Sequence, residues 1–165
     1  MAEKKKLRDM KEATYSFTYR RYAFEGDFPK EYAELVEAAR RARAEAHAPY
    51  SDFHVGAAAL LQSGRIITAA NQESSSFPAS ICAEHNLLSY HNALMPEDKI
   101  VALAIVSQPD NDECSPCGVC RQVLCDTEIR QQSKIKIIMC SATTATIVES
   151  ASCLMPFAFN FNHDE

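Results

Sequence analysis

Ile100-Val101-Ala102-Leu103-Ala104-Ile105-Val106-Ser107 is an apolar run without a turn residue, the pattern of a strand buried on both faces. Such a strand needs helices above and below it, and the flanking sequence offers them. Upstream, Ser80 can cap a helix from about Ile81 to Leu94, closed by Pro96. Downstream, the polar stretch Gln108–Ser115 leads to Pro116 at the first position of a helix from about Cys117 to Arg130. Further out, Glu31–His47 keeps Tyr32, Leu35, Val36, Ala39, Ala42 and Ala46 on one helical stripe, ended by Pro49. Its arginines, Arg40, Arg41 and Arg43, suit the helix dipole and read as a solvated face rather than a phosphate site. Val55–Leu61 and Arg65–Ala70 flank Ser63-Gly64 as a hairpin, and Lys134–Cys140 and Thr143–Val148 add strands. The order β-β-α-β-α-β implies an α/β protein: a three-layer α/β/α sandwich around a mixed sheet of about five strands.

Ahead of this unit, Tyr15, Phe17 and Tyr19 alternate with Thr14, Ser16 and Thr18, so Thr14–Tyr22 reads as a strand. Residues 1–12 carry five Lys or Arg and three acids with little to bury, and are expected to fray. The organisation expected is an N-terminal extension over 1–28, with an aromatic edge strand, and a catalytic domain over 29–165. The 165 residues hold 17 Lys and Arg against 22 Asp and Glu, a formal net charge of -5. A general nucleic-acid binder needs a basic footprint, so that class is excluded. No apolar run is long enough to span a bilayer, and no secretory signal is expected after Met-Ala-Glu-Lys-Lys-Lys. Seven cysteines are then the odd feature. In a reducing, cytoplasmic setting they point to metal binding or catalysis rather than disulfides.

Their spacing sorts them. Cys117 and Cys120 stand three apart at the start of one helix and share a face; Cys82 opens the other. Helix N-termini lower thiol pKa and favour the thiolate that binds metal. Three sulfurs without an evident fourth ligand suggest zinc with an open position for water. Glu84, two residues after Cys82, can take a proton from such a water and return it to a substrate. On its own it would read as an acid favoured by the helix dipole; with the cysteines it reads as catalytic. Cys114 and His85 are candidates for a fourth ligand, which would close the site into a catalytically silent zinc scaffold. Cys125, Cys140 and Cys153 read as buried small hydrophobes or free thiols.

Four stretches together resemble the zinc-dependent cytidine deaminases, the small three-cysteine, homotetrameric type. They are Ala48-Pro49-Tyr50-Ser51-Asp52-Phe53-His54-Val55-Gly56-Ala57-Ala58, Asn71-Gln72-Glu73, Ile81-Cys82-Ala83-Glu84, and Ser115-Pro116-Cys117-Gly118-Val119-Cys120-Arg121-Gln122-Val123-Leu124. Cys82, where the deaminases of nucleotides and polynucleotides typically carry His, marks the nucleoside subfamily. The resemblance implies a cytidine deaminase-like fold, zinc on Cys82, Cys117 and Cys120, and proton transfer by Glu84. It also implies that Asn71 and Glu73 hold the ribose hydroxyls, and that Phe53, Ala83 and Phe159 belong to the substrate pocket. The implied reaction is hydrolytic deamination of cytidine and 2′-deoxycytidine in pyrimidine salvage, by a homotetramer whose pockets neighbouring subunits complete. No nucleic-acid or membrane partner is expected. The alternative within the class is a deaminase of another small aminated nucleoside, of the antibiotic-nucleoside type. Two positions depart from the pattern. His85 stands where these enzymes usually have an arginine thought to offset thiolate charge, leaving that part to His85, to Arg121 or to the helix ends. Phe77 stands where they often have tyrosine.

Overall fold

The computed structural model describes residues 12–160. Six strands form one sheet: β1 (Tyr19–Ala23), β2 (His54–Leu61), β3 (Ile66–Ala70), β4 (Ile100–Gln108), β5 (Lys136–Cys140) and β6 (Thr144–Val148). Their spatial order is β1-β6-β5-β4-β2-β3. Only β4 and β5 run parallel; the other neighbours are antiparallel. The three helices are α1 (Ala33–Arg43), α2 (Ala83–Leu94) and α3 (Gly118–Gln131).

The three-layer sandwich expected from the sequence is the architecture observed. Along β4 the side chains alternate: Leu103 and Ile105 face the core under α2 and α3, while Ala102, Ala104 and Val106 face α1. β2 sits against α1 through a residue with no side chain. A Cβ on Gly56 would collide with the Ala39 carbonyl and the Arg43 backbone. That glycine therefore sets how closely α1 approaches the sheet.

The sheet has six strands rather than about five, because the N-terminal extension joins it. β1 lies at the edge beside β6, with Tyr19 opposite Val148 and Ala23 opposite Thr144. The aromatic alternation begins earlier, at Tyr15, but β6 ends at Val148 and offers no partner before Tyr19. Residues 13–18 are accordingly not a strand. The rings of Tyr15, Phe17 and Tyr19 instead form an exposed ladder with centroids 6.4 and 6.3 Å apart, and the Tyr15 hydroxyl donates to the Ser152 carbonyl at 2.6 Å. The fraying expected for 1–12 falls, except for Glu12, outside the described residues.

Two helices also differ from expectation. α1 stops at Arg43, not near Pro49, because the following residues are captured by other backbone. His47 N–H donates to the Asn71 carbonyl, and Glu73 N–H donates to the His47 carbonyl. The arginines of α1 do not form one solvated face: Arg41 is exposed, but Arg40 and Arg43 donate to the Ser141 and Ser107 carbonyls at strand ends. α2 is capped by Cys82 rather than Ser80, whose hydroxyl accepts from Ser74 N–H and closes the preceding loop.

Gly56→Ala is expected to lower unfolding free energy by ~3 kcal/mol, because the backbone of α1 cannot yield as a flexible side chain would. Denaturant titration followed by circular dichroism measures it. A loss below ~0.5 kcal/mol would show that α1 shifts freely on the sheet.

Candidate active site

α2 and α3 pack side by side on one face of the sheet and begin at the same end. Cys82 and Cys117 are their N-cap residues, both in extended backbone, and each carbonyl accepts the first helical bond. Cys120 lies one turn into α3. The Cys82 and Cys117 sulfurs are 3.7 Å apart, those of Cys117 and Cys120 3.5 Å, and all three lie within 4.8 Å of one another. Sulfurs each 2.3 Å from one tetrahedral zinc would stand roughly 3.8 Å apart, so the cluster fits that ion in both donor chemistry and spacing. Cys114 and His85 do not join the group. Among the described residues the cluster thus offers three ligands and leaves the fourth direction to the pocket. All seven cysteines are free thiols.

Electrostatics argue for a cation there. Cys82 is pushed down to about 6, chiefly because the Cys120 thiol donates to it, against the cost of burial. Cys120 moves the other way, held protonated by that donation and by burial. Three crowded thiols can release one proton readily and the next only at high cost, unless a positive charge enters. Cys114, half-buried at the pocket wall, is pushed up to about 11 by desolvation and stays a neutral thiol.

Glu84 lies in the first turn of α2 and is only 3% exposed. Burial, with the Cys82 charge adding to it, pushes its carboxyl up to about 7; its own amide and the Cys120 thiol pull the other way. A carboxyl poised near neutrality can both take up and release a proton.

The pocket beside these groups has a volume of about 250 Å³. Ser51, Phe53, Asn71, Glu73, Cys82 and Glu84 are among its lining residues, so most of the residues singled out in the sequence converge. Asn71 and Glu73 reach it through a double bridge: Gln72 between them pairs with His47 on one side and Ile81 on the other. The Asn71 amide accepts from Val55 N–H and donates to the Phe53 carbonyl. Glu73 accepts from the Tyr50 and Ser51 amides and from the Ser51 hydroxyl, which hold its carboxyl below the usual carboxylate range.

Two expected residues sit elsewhere. Ala83 is fully buried in the core between Cys82 and Glu84, with no exposed side chain. Phe159 is not brought to this pocket within one chain. It lines a separate surface depression with Cys125 and Glu128, its backbone bonded to the Gln122 side chain. Sequence reasoning missed Ser51, whose only signal was its place in a tight Pro-Tyr-Ser-Asp turn. It also left Arg121 open: that guanidinium donates to the Pro116 and Leu154 carbonyls and ties the Cys117 turn to the C-terminal segment. A larger depression of about 680 Å³ between α1 and β4 is lined by polar groups paired with one another, Arg43 with Asp110 and His54 with Asp52.

Fold and sulfur cluster define a zinc-binding α/β protein. Residues 29–135 match the profile of the cytidine and deoxycytidylate deaminase zinc-binding region, and the chain belongs to that family. It is 37% identical over 94 residues to the probable cytidine deaminase of Dictyostelium discoideum, a stretch covering 56% of this chain and 63% of that protein. It is 39% identical over 92 residues to the cytidine deaminase of Halalkalibacterium halodurans, covering 56% of this chain and 68% of that one. The crystal structure of the Burkholderia pseudomallei cytidine deaminase superposes with a TM-score of 0.65 at 33% identity, covering 76% of this chain and 97% of that one.

Atomic absorption on the purified protein is expected to find about one zinc per chain. Cys120→Ser should lower that occupancy several-fold, and Cys114→Ser should leave it unchanged. Equal losses from both would mean that Cys114 is a fourth ligand.

Proposed function

We propose that this protein hydrolyses the exocyclic amine of cytidine and 2′-deoxycytidine, giving the uridine nucleoside and ammonia, as a step of pyrimidine salvage. The observation that carries the reading is Glu84, buried beside a three-thiol cluster with an open side, in the same pocket as Phe53, Asn71 and Glu73. The names of its relatives agree with it. In this reading Cys82, Cys117 and Cys120 hold zinc, which supplies a Lewis acid that makes water nucleophilic at neutral pH.

The chain's own groups do the rest. Glu84 accepts a proton from the attacking water and delivers it to N3 of the pyrimidine. Water oxygen bonds to C4, and the C4–N bond breaks after Glu84 carries the second proton to the amine. One water proton ends on N3 and the other in ammonia, so the reaction balances without a redox partner. The raised pKa of Glu84 suits this two-way traffic. Asn71 and Glu73 offer an amide and a carboxylate to a sugar hydroxyl, and Phe53 an apolar ring to the base. Ala83, buried in the core, fixes the spacing in sequence between the metal ligand Cys82 and the proton carrier Glu84.

Residues 29–165 form the catalytic domain and 1–28 an extension. The assembly proposed is a homotetramer in which Phe159 closes a pocket of a neighbouring subunit; the residue is 68% exposed on the single chain. The open outer edge of β1 and its aromatic ladder offer a further subunit contact. A cytoplasmic location fits seven free thiols. No helix among the described residues is long and apolar enough to cross a membrane.

Glu84→Gln is expected to retain zinc and to lower kcat for cytidine by at least ~100-fold, followed as loss of cytidine absorbance. Near-normal turnover with zinc in place would overturn the mechanism, and a substrate panel would test the assignment to ordinary nucleosides. Light scattering is expected to give about four times the 18.3 kDa chain mass. Deleting residues 1–28 should lower that mass; an unchanged value would remove the extension from the subunit contacts.

A further inference from the structure

The Ser51 hydroxyl occupies an unusual place at the rim of the pocket. It donates to Glu73 Oε1 at 2.5 Å and accepts from the Phe53 amide at 3.1 Å. One side chain therefore spans two pocket residues that come from different elements, the turn before β2 and the segment after β3. The other Glu73 oxygen accepts from the Tyr50 and Ser51 amides at 2.8 and 3.3 Å. The turn that makes this possible is sharp: Asp52 has φ of 55°, and its amide donates back to the Ala48 carbonyl. Asp52 thus reverses the chain between Ser51 and Phe53, and Asn71 holds the far end through Phe53 and Val55.

We infer that Ser51 is a positioning residue for sugar recognition: its hydroxyl holds the Glu73 carboxylate in the one orientation that leaves an oxygen lone pair directed into the pocket. This rests on the cytidine reading above. The chemistry follows from what a carboxylate can accept. Two oxygens offer about four lone-pair sites, and three are taken by the turn. The remaining capacity is on Oε1, the oxygen that Ser51 alone grips. Without that hydroxyl the carboxyl pivots about its Oε2 bonds, and Oε1 is no longer aimed at a sugar hydroxyl. The contact is to a charged acceptor, so it outweighs the neutral bond from the Phe53 amide. The Ser51 hydroxyl bonds to Glu73 and Phe53, not to Glu84 or the cysteines. The effect must therefore appear in binding of the sugar and not in the chemical step.

Steady-state kinetics on full-length, zinc-loaded protein test this. Ser51→Ala should raise KM for 2′-deoxycytidine about tenfold, the weight of one hydrogen bond to a charged group, while kcat stays within about twofold. The decisive comparison is between two competitive inhibitors. Inhibition by 2′-deoxyuridine should weaken by the same factor, whereas inhibition by 2′,3′-dideoxyuridine, which has no sugar hydroxyl for Glu73, should change little. Ser51→Thr, which keeps the hydroxyl, should restore wild-type constants. Equal weakening toward both inhibitors, a fall in kcat alone, or no change in any constant would overturn the inference. If Ser51→Ala loses its zinc or its thermal transition, Ser51→Cys, with a weaker donor, should give the same ordering of constants. Wild-type protein without cytidine turnover would instead overturn the deaminase reading itself, so the two failures are distinct.

Discussion

Three sulfurs held 3.5 to 3.7 Å from one to the next are the constraint around which this molecule is arranged. Left to themselves, thiols that close cannot all ionise, because each negative charge raises the cost of the next. The fold meets that cost by bringing two helix N-termini to the same point, where unpaired amides and the helix dipoles favour negative charge. For that to happen α2 and α3 must start at one height over one face of the sheet. The β4-α3-β5 crossover secures this for α3, and β4 and β5 are consequently the only parallel pair among the described strands. For α2 the same end is reached from β3, an antiparallel neighbour of β2. Small residues where the layers meet, Ala57, Ala59 and Ala83, are all fully buried and let α2 lie close to the sheet.

The rest of the pocket lining is built by different means. No helix terminus supplies it; the turn over residues 47–53 is stitched to 71–73 by backbone bridges and by Asn71 and Glu73. A loop so heavily bonded behaves as part of the rigid frame, although its residues are largely exposed. The pocket lining thus divides into a sulfur cluster and a buried acid on helices and polar groups on a laced turn.

What was legible in the sequence follows this division. β4 stood out because a strand buried on both faces is apolar at every position, and the helices because their stripes recur at helical spacing. The metal cluster was legible because two cysteines three apart at a helix start have little structural reason to be there. Other features lack a local signature. The cap of α2 was assigned to Ser80, the better capping residue, since nothing local shows that a metal ligand holds the cap position. α1 ended early because His47 is captured by Asn71 and Glu73, residues remote in sequence. The strand at the N-terminus was overextended because pairing depends on where β6 ends, and the part of Ser51 depends on Glu73, 22 residues away.

A divalent ion on three thiolates leaves a net charge of -1, and the position after Glu84 carries His85 instead of the usual arginine. Arg121, the nearby alternative, has committed its guanidinium to the Pro116 and Leu154 carbonyls, where it braces the turn that carries Cys117. Its contribution is to geometry, through carbonyls, and not to the sulfurs directly. His85 stands in the first turn of α2, and its charge acts to lower the Cys82 thiol, although less than the hydrogen bonds from Cys120 and Cys117 do. Once three thiolates hold the ion, those sulfur hydrogen bonds have no proton left, so the larger share of the compensation falls on the two helix ends. A site stabilised in that way can tolerate the loss of a fixed guanidinium, because its offsetting dipoles are built into the backbone and no single side chain carries them.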